Sequence, residues 1–509
     1  MSGTLRRKPV SFRPLTYLET NAQTRGEHPA VVEGGREQTF RELLDTVLAA
    51  MTLLGEHGIG AGNVVAVALP NVSAYVALEI AIPALGAVLM PLPPGLGKHE
   101  LSSALERSGA VLAITAGEED PAYEVSKRAP AVREVLTVPL PARSESVDLR
   151  VEPHPTQRDD VVQIALTSGT TGPPKLAAFT AELKQVTFES FTDRLEIGES
   201  DRVLPLSPIT QGAGEMFLYS LRRGAALVML GPSHFTADVA LEVIARSRAT
   251  VIGGVPTMLS RMLDCPAIAE TDFSHVRLTA TAGAPLAPEL AQAWEERTGA
   301  PVASFYGAMD IGQLAVPRPG DPQEKRWHTV GRPHDRAEWA ILTPDGGPCA
   351  RGAEGEICMR GPLVQRRYWD QESSPYGEDG WAHFGDLGFV DEDGYLHVTG
   401  RVKDTIIRGG NNINPYEIEE ILQAHPALAE VAIVGRPDAD LGERAVAFVV
   451  LRDGERLEDV SELTSFLDAR GVARYKWPEA LHELDELPHG PTGKLLRRQL
   501  RERAAAAGE

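Results

Sequence analysis

Apolar residues recur along the chain in two alternating rhythms. In TFRELLDTVLAAMTLL, Phe40, Leu43, Leu44, Val47, Leu48 and Met51 fall at helical spacing, and Thr39 with Glu42 has the spacing of a capping box. NVVAVAL, which follows, is a continuous apolar run of strand length and predicts a strand buried on both faces. The same exchange repeats at AVLAIT, DVVQIALT, AALVML, ATVIGGV and HVRLTATAG, each run separated from the next by helical or loop sequence. Such alternation predicts an α/β fold on largely parallel sheets, in which ligands gather at the carboxyl ends of strands. After about residue 350 the rhythm shortens to strands and turns, as in GEICMRG and GWAHFGDLGFVDEDGYLHVTGR. Beyond Arg401 a smaller α+β unit is predicted. Asn414, Pro415 and Glu417 supply an N-cap, an N1 proline and an N3 glutamate for the helix PYEIEEILQAH. Strands VAIVG and RAVAFVVL, a helix around VSELTSFLDAR and a basic C-terminal stretch follow. The pattern divides the chain into a large domain, residues 1–400, a join at 401–404, and a small domain, 405–509.

The longest apolar stretch, ALEIAIPALGAVLMPLPPGL, contains Glu79, Pro83, Pro91, Pro93 and Pro94. A membrane-spanning helix of ~20 residues tolerates these badly, so a buried helix running into a strand and loop is expected. The opening MSGTLRRKPVSFRP has no apolar core and does not read as a secretory signal. With 50 basic and 71 acidic residues the net charge is -21, a field that disfavours nucleic acid and anionic membranes as partners. An anionic ligand has to be held locally. Cys265, Cys349 and Cys358 form no C-x-x-C pair and no disulfide framework, which fits a reducing cytoplasm.

LTSGTTGPPK, Leu166 to Lys175, suits neither helix nor strand. Gly169 and Gly172 free the backbone, Pro173 and Pro174 break regular structure, and four hydroxyls, of Thr167, Ser168, Thr170 and Thr171, stand beside the Lys175 ammonium. Such a loop offers donors and no anion, the requirement for holding phosphate. It is not the P-loop G-x-x-x-x-G-K-[ST], because the glycines are too close together and Leu176 follows the lysine. A flexible surface linker is the competing reading of this segment alone.

Five further motifs accompany the loop in order: TAGAPL, YGAMD, HFGDLGFVDEDGYLHVTGRVKD, RGGNNINPYEIE and LPHGPTGK. In these motifs the chain resembles, over nearly its whole length, the adenylate-forming superfamily of acyl- and aryl-CoA synthetases, peptide-synthetase adenylation domains and luciferases. The resemblance implies a large N-terminal domain of parallel-rich sheets with helices and a small barrel-like part, plus a small mobile α+β C-terminal domain. It also implies ATP, Mg2+ and coenzyme A. A carboxylate attacks the α-phosphate of ATP to give an acyl-adenylate and pyrophosphate, and a thiol then displaces AMP. Activation is needed because a carboxylate is a poor electrophile until its oxygen becomes part of a good leaving group, and the attack requires alignment and charge stabilisation.

Carried over by resemblance, Thr167, Ser168, Gly169, Thr170, Thr171, Gly172 and Lys175 hold the β- and γ-phosphates. Ala282, Gly283, Ala284 and Pro285 line adenine, with Tyr306 and Gly307 against it. Asp386 accepts from the ribose hydroxyls and Arg401 supports the ribose. Asp310 stands where the family's metal-serving glutamate is usual, and Lys494 reaches the α-phosphate and the substrate carboxylate. Lys403 occupies the hinge, and Gly409 and Gly410 line the pantetheine channel. Taken singly, each has a plainer alternative: a β-turn at Asp386, core at Tyr306, a surface ion pair at Arg401, a solvated turn at Lys494.

The chain also departs from the family pattern. Leu176 follows the loop lysine in place of glycine, Met309 replaces threonine, Asp310 replaces glutamate, Phe384 stands at a usual threonine, and Gln211 replaces a histidine common in acyl-CoA synthetases. A non-catalytic nucleotide-binding relative is therefore the alternative to a working ligase. The implied acid pocket includes Gln211, Gly214, Gly254, Gly283, Gly307, Ala308 and Met309, with Gly212, Ala213, Gly253, Ala284 and Gly312 nearby. So many small residues favour an aromatic acid, benzoate-like or bicyclic, and Glu215 could recognise an amine. The expected thiol acceptor is coenzyme A, or else a free-standing carrier protein. Arg497, Arg498, Arg501 and Arg503 either meet its phosphates or form a solvated helix face. The expected assembly is a monomer or homodimer.

Overall fold

The computed structural model describes residues 14–139, 152–166, 175–210, 212–231, 235–309, 311–365, 367–371, 374–409, 411–438, 440–489 and 495–506. Thr167, Ser168, Gly169, Thr170, Thr171, Gly172, Gln211, Asp310, Gly410 and Lys494 lie outside the described residues.

Two compact units make up the chain. One comprises residues up to Glu338 together with Met359–Ala382, and the other Trp339–Cys358 with His383 onward. The first is built on two α/β sheets. A seven-stranded sheet runs Val302–Ser304, Leu278–Thr281, Val251–Gly254, Arg202–Pro205, Ala226–Met229, Pro29–Glu33 and Arg36–Thr39, parallel except for the last pair. A six-stranded sheet runs Glu134–Thr137, Leu112–Thr115, Val64–Ala68, Val88–Pro91, Val161–Leu166 and Leu176–Thr180. Every apolar run singled out above is one of these strands. They are buried because helices cover parallel sheets on both faces.

The helix Phe40–Glu56 starts at the expected capping box: the Glu42 amide donates to Thr39 Oγ1 and the Thr39 amide to Glu42 Oε2. Its stripe of Phe40, Leu43, Val47, Met51 and Leu54 is buried against Tyr75, Leu78 and Ile82 of the helix Ser73–Ala84. Each such side chain contributes ~1.5–3 kcal/mol on burial. The long apolar stretch is this second helix followed by the strand Val88–Pro91, as the prolines predicted. Among the described residues no helix is long and apolar enough to cross a membrane.

The short strands expected after about residue 350 form, with Glu338–Leu342, a four-stranded sheet ordered Glu338–Leu342, Gly355–Arg360, Ala382–Val390 and Leu396–Arg401. The last two strands form an antiparallel hairpin. The smaller C-terminal part has long antiparallel strands, Leu428–Asp438 and Gly442–Leu451, with the helices Pro415–Gln423, Val460–Asp468 and Arg497–Ala506. The first of these helices begins at the predicted cap, with the Tyr416 amide donating to Asn414 Oδ1 and Pro415 at N1. Glu417 binds Lys476 at 2.6 Å instead of completing a capping box.

Candidate active site

The described strands that precede and follow the phosphate motif pair antiparallel. Val161–Leu166 leads into it and Leu176–Thr180 leaves it, with Leu166 opposite Leu176. Lys175, at the exit, donates from Nζ to Tyr368 Oη at 3.0 Å. The Trp369 amide donates to the Leu176 carbonyl at 2.7 Å, so the segment around Tyr368 runs beside the start of this strand and orients Lys175. No spacing in the sequence signals Tyr368 as a partner.

Two predicted adenine segments emerge from the carboxyl ends of adjacent strands. Leu278–Thr281 precedes Ala282–Pro285, and Val302–Ser304 precedes Tyr306–Met309, with Thr281 opposite Ser304. Ala282 is buried, Ala284 half-buried, Gly283 and Pro285 exposed. Tyr306–Ala308 pairs antiparallel with Gly312–Ala315. Tyr306, Ala308 and Met309 are half-buried and Gly307 is exposed.

A buried histidine steadies that hairpin. His334 Nδ1 lies 2.6 Å from Ser190 Oγ, and its Nε2 lies 3.3 Å from Oε1 of Gln313 in the second strand. Burial, helped by Arg194, pushes the imidazole down from 6.5 to about 3. Between those values the unfolded chain binds a proton that the folded chain refuses. Stability therefore falls as pH drops from 6.5 towards 3, by up to about 1.4 kcal/mol per pH unit, and is independent of this group above 6.5. Urea unfolding at about pH 7 and about pH 5 is expected to show wild type losing about 2 kcal/mol more than His334→Gln; equal losses would remove His334 from this role.

The implied acid pocket is better ordered than its glycines suggested. Asn71, buried, donates from Nδ2 to the carbonyls of Pro205 (3.2 Å) and Ser207 (2.9 Å) and accepts the Ile209 amide at 2.9 Å. One side chain thus sets the backbone path of SPIT, the segment leading into Gln211, although it lies far off in sequence. A Cβ on Gly214 would collide with the Pro208 carbonyl, and one on Gly253 with the Phe217 ring. Their missing side chains serve close packing and leave no volume for a guest, which corrects the count of small residues as pocket space. Phe217 itself packs with Phe191 and Phe305 in edge contacts of 5.2 and 6.3 Å. Gly254 differs: the nearest atoms to an added Cβ, on Leu206 and Met258, stand at 3.5–3.6 Å.

Glu215 is not placed to recognise a substrate amine. It is buried, with Oε1 3.4 Å from Lys184 Nζ, and that fully buried ammonium also reaches Glu79 Oε1 at 3.2 Å and hydrogen-bonds Gln163. Tyr219 Oη donates to Glu79 at 2.9 Å. Burial pushes the Glu215 carboxyl up, and Lys184 pulls it part of the way back. One ammonium stands between two buried carboxyl groups, one more than its charge can balance, and removing Lys184 would leave both without a counter-ion.

In the second unit, Asp386 and Arg401 face each other across the hairpin, with Arg401 Nε 2.9 Å from Asp386 Oδ1. Asp386 is buried, so the arginine both neutralises and aims it. Lys403 is exposed within the short turn Val402–Asp404. Asp404 is buried, receiving Tyr416 Oη at 3.1 Å and Arg501 Nη2 at 2.8 Å, with Arg497 Nε at 3.7 Å. Arg497 also pairs with Glu419 at 2.6 Å. Arg497 and Arg501 are thus committed inside the fold and are not part of a phosphate-binding face; Arg498 points outward beside Glu502. Gly409 has φ +55, a left-handed conformation that favours glycine, and its amide donates to the Leu441 carbonyl.

Residues 18–369 match the family model of the AMP-binding enzyme, and residues 417–494 that of the AMP-binding enzyme C-terminal domain. The chain belongs to the AMP-binding enzyme family. The first match spans both large sheets and the second the small α+β part. Feruloyl-CoA synthase of an Amycolatopsis species is 32% identical over 478 residues, 93% of this chain and 95% of that protein. Sulfoacetate–CoA ligase of Cupriavidus necator is 33% identical over 480 residues, covering 92% and 93%. Among solved structures, the anthranilate CoA ligase AuaEII in complex with anthranoyl-AMP matches with a TM-score of 0.89 at 26% identity, covering 98% of this chain and 99% of that one. This AMP-binding enzyme is an AMP-forming acid–thiol ligase using ATP, Mg2+ and coenzyme A. Its Asp386, buried and oriented by Arg401, fits a ribose. For Mg2+, the donor assigned by resemblance, Asp310, is a hard carboxylate of the right chemistry.

Proposed function

We propose that the enzyme activates an aromatic carboxylic acid, benzoate-like or bicyclic, as its acyl-adenylate and transfers it to coenzyme A. The observation that carries the aromatic reading is Gly254, at the carboxyl end of its strand, where the atoms nearest an added Cβ are side-chain atoms of Leu206 and Met258 at ordinary contact distance, 3.5–3.6 Å, in contrast to the backbone that Gly214 meets. Glu215 supports it from the other side: bound to Lys184, it offers no counter-ion to an amino acid's ammonium. Feruloyl-CoA synthase and the anthranilate CoA ligase carry aryl acids in their names, which agrees.

The division of labour proposed for the chain's residues follows from their chemistry. The loop from Thr167 to Gly172 and Lys175 binds the terminal phosphates, with Tyr368 orienting the lysine. Tyr306 and Ala282–Pro285 enclose adenine, and Asp386 takes the ribose. Asp310 would hold Mg2+, which when bound neutralises phosphate charge. Lys494 stabilises the charge that grows during attack on the α-phosphate. The join at 401–404 between the domains 1–400 and 405–509 is the proposed hinge, with the exposed Lys403 at its centre and Gly409 and Gly410 lining the thiol's path.

Acid-dependent exchange of labelled pyrophosphate into ATP tests the substrate. Benzoate-like and bicyclic acids are expected to support exchange, with acetate and sulfoacetate well below them. Fastest exchange with a small aliphatic acid would sink the aromatic reading. Gly254→Leu is expected to lose the aryl acids and spare small ones, since an overfilled site strains instead of adapting. Equal losses for both classes would show that Gly254 does not face the acid.

A further inference from the structure

Glu356 and Cys358 lie two residues apart in the strand Gly355–Arg360, and His383 lies in the neighbouring strand Ala382–Val390. Residues two apart share a face of a strand. One ligand atom from each, the Glu356 carboxylate, Cys358 Sγ and a His383 ring nitrogen, lie within 4.8 Å of one another. We infer that these three side chains form a binding site for one divalent cation of the zinc class.

Both neighbours address the same ring nitrogen: Cys358 Sγ is 3.4 Å and Glu356 Oε2 3.0 Å from His383 Nδ1. A thiol–imidazole–carboxylate relay would need the two partners on opposite nitrogens, so the geometry is convergent. Convergence of sulfur, nitrogen and oxygen on one point is what a shared cation satisfies. Ideal zinc bonds at a tetrahedral angle place sulfur and nitrogen ~3.5 Å apart and nitrogen and oxygen ~3.4 Å apart. The sulfur–nitrogen and nitrogen–oxygen separations, 3.4 and 3.0 Å, lie near these values, and the sulfur–oxygen pair, within 4.8 Å, would close to ~3.6 Å on binding.

The donor set selects the ion. Thiolate and imidazole favour zinc and its first-row neighbours over Mg2+, which prefers oxygen, so this site is chemically separate from the one that serves ATP. Cys358 is buried while Glu356 and His383 are half-exposed, leaving a side from which the metal can enter and water can complete four-coordination. A bound metal would fasten the strand Gly355–Arg360 to the strand bearing Asp386, three residues beyond His383.

The test uses the full chain, stripped with chelator and held in Mg2+-free buffer, titrated with Co2+ and then Zn2+. One equivalent of Co2+ is expected to give a near-ultraviolet thiolate charge-transfer band and visible bands of tetrahedral strength, displaced by Zn2+, with a raised melting temperature. Cys358→Ser should abolish the charge-transfer band, while Cys265→Ser and Cys349→Ser keep it. Glu356→Gln and His383→Asn, which preserve shape, should weaken Co2+ binding on the order of tenfold or more. Absence of a thiolate band in folded wild type overturns the site, as does its persistence in Cys358→Ser. Unchanged Co2+ affinity in both Glu356→Gln and His383→Asn would do so even if Cys358→Ser fails to fold.

Discussion

Lys494→Ala is expected to slow acyl-adenylate formation on the order of 10²-fold or more, and to leave thioester formation from supplied acyl-adenylate nearly unchanged. A positioned ammonium that meets charge developing on the α-phosphate acts only while that charge develops. His489 and Leu495, the described residues that flank GPTGK, bridge antiparallel, and the Leu496 amide donates to the Pro488 carbonyl at 2.8 Å. These flanking contacts do not involve the lysine's side chain, and truncating it should not disturb folding. Lys403→Pro should give the opposite profile. Proline fixes its own torsion and restricts Val402 before it, so a rotation about this segment is hindered while ATP chemistry stays intact. Both half-reactions measured separately in both variants decide the matter. Equal damage to the two steps by Lys494→Ala, or an unchanged overall rate in Lys403→Pro, would refute the division.

The second large effect is expected at Asp386. Its carboxylate is buried and paired with Arg401 at 2.9 Å, which directs it. Each hydrogen bond to a charged acceptor is worth ~1.5–3 kcal/mol, and Asp386→Ala should therefore raise the KM for ATP on the order of 10- to 100-fold. Acid KM should change little. The exposed part of Arg401 can take solvent as its partner, so melting should fall far less than ATP use. Wild-type KM for ATP in a folded Asp386→Ala protein would remove the ribose assignment.

What could be read from the sequence depended on how local the cause was. Strands such as Val251–Gly254 and the helix Phe40–Glu56 announced themselves because burial imposes a period and a cap imposes a spacing. The phosphate loop was readable for a related reason, since its glycines, hydroxyls and lysine state a chemistry, whereas the roles given to Tyr306, Asp386 and Lys494 rested on family resemblance. Contacts between distant segments left no such mark. Tyr368 beside Lys175, Lys184 between Glu79 and Glu215, and His383 against Cys358 exist only once the sheets assemble. The glycines misled for the same reason. Gly214 and Gly254 look alike in sequence, yet one is filled by the Pro208 carbonyl and the other is not. The C-terminal arginines could be read as a phosphate-meeting surface or a solvated helix face, and neither reading foresaw that Asp404 and Glu419 claim two of them.

Asn71 holds the loop of the proposed acid site through main-chain atoms alone, the carbonyls of Pro205 and Ser207 and the amide of Ile209. Nothing in that grip depends on what the loop's side chains are. Mutations within SPIT can therefore alter the lining while the chain keeps its course, and new acid preferences become reachable by single substitutions. A change at Asn71 would instead move every residue of the loop at once. Diversification of substrate range in this scaffold should accordingly accumulate in the loop and spare the asparagine, with one distant side chain acting as the condition for its evolvability.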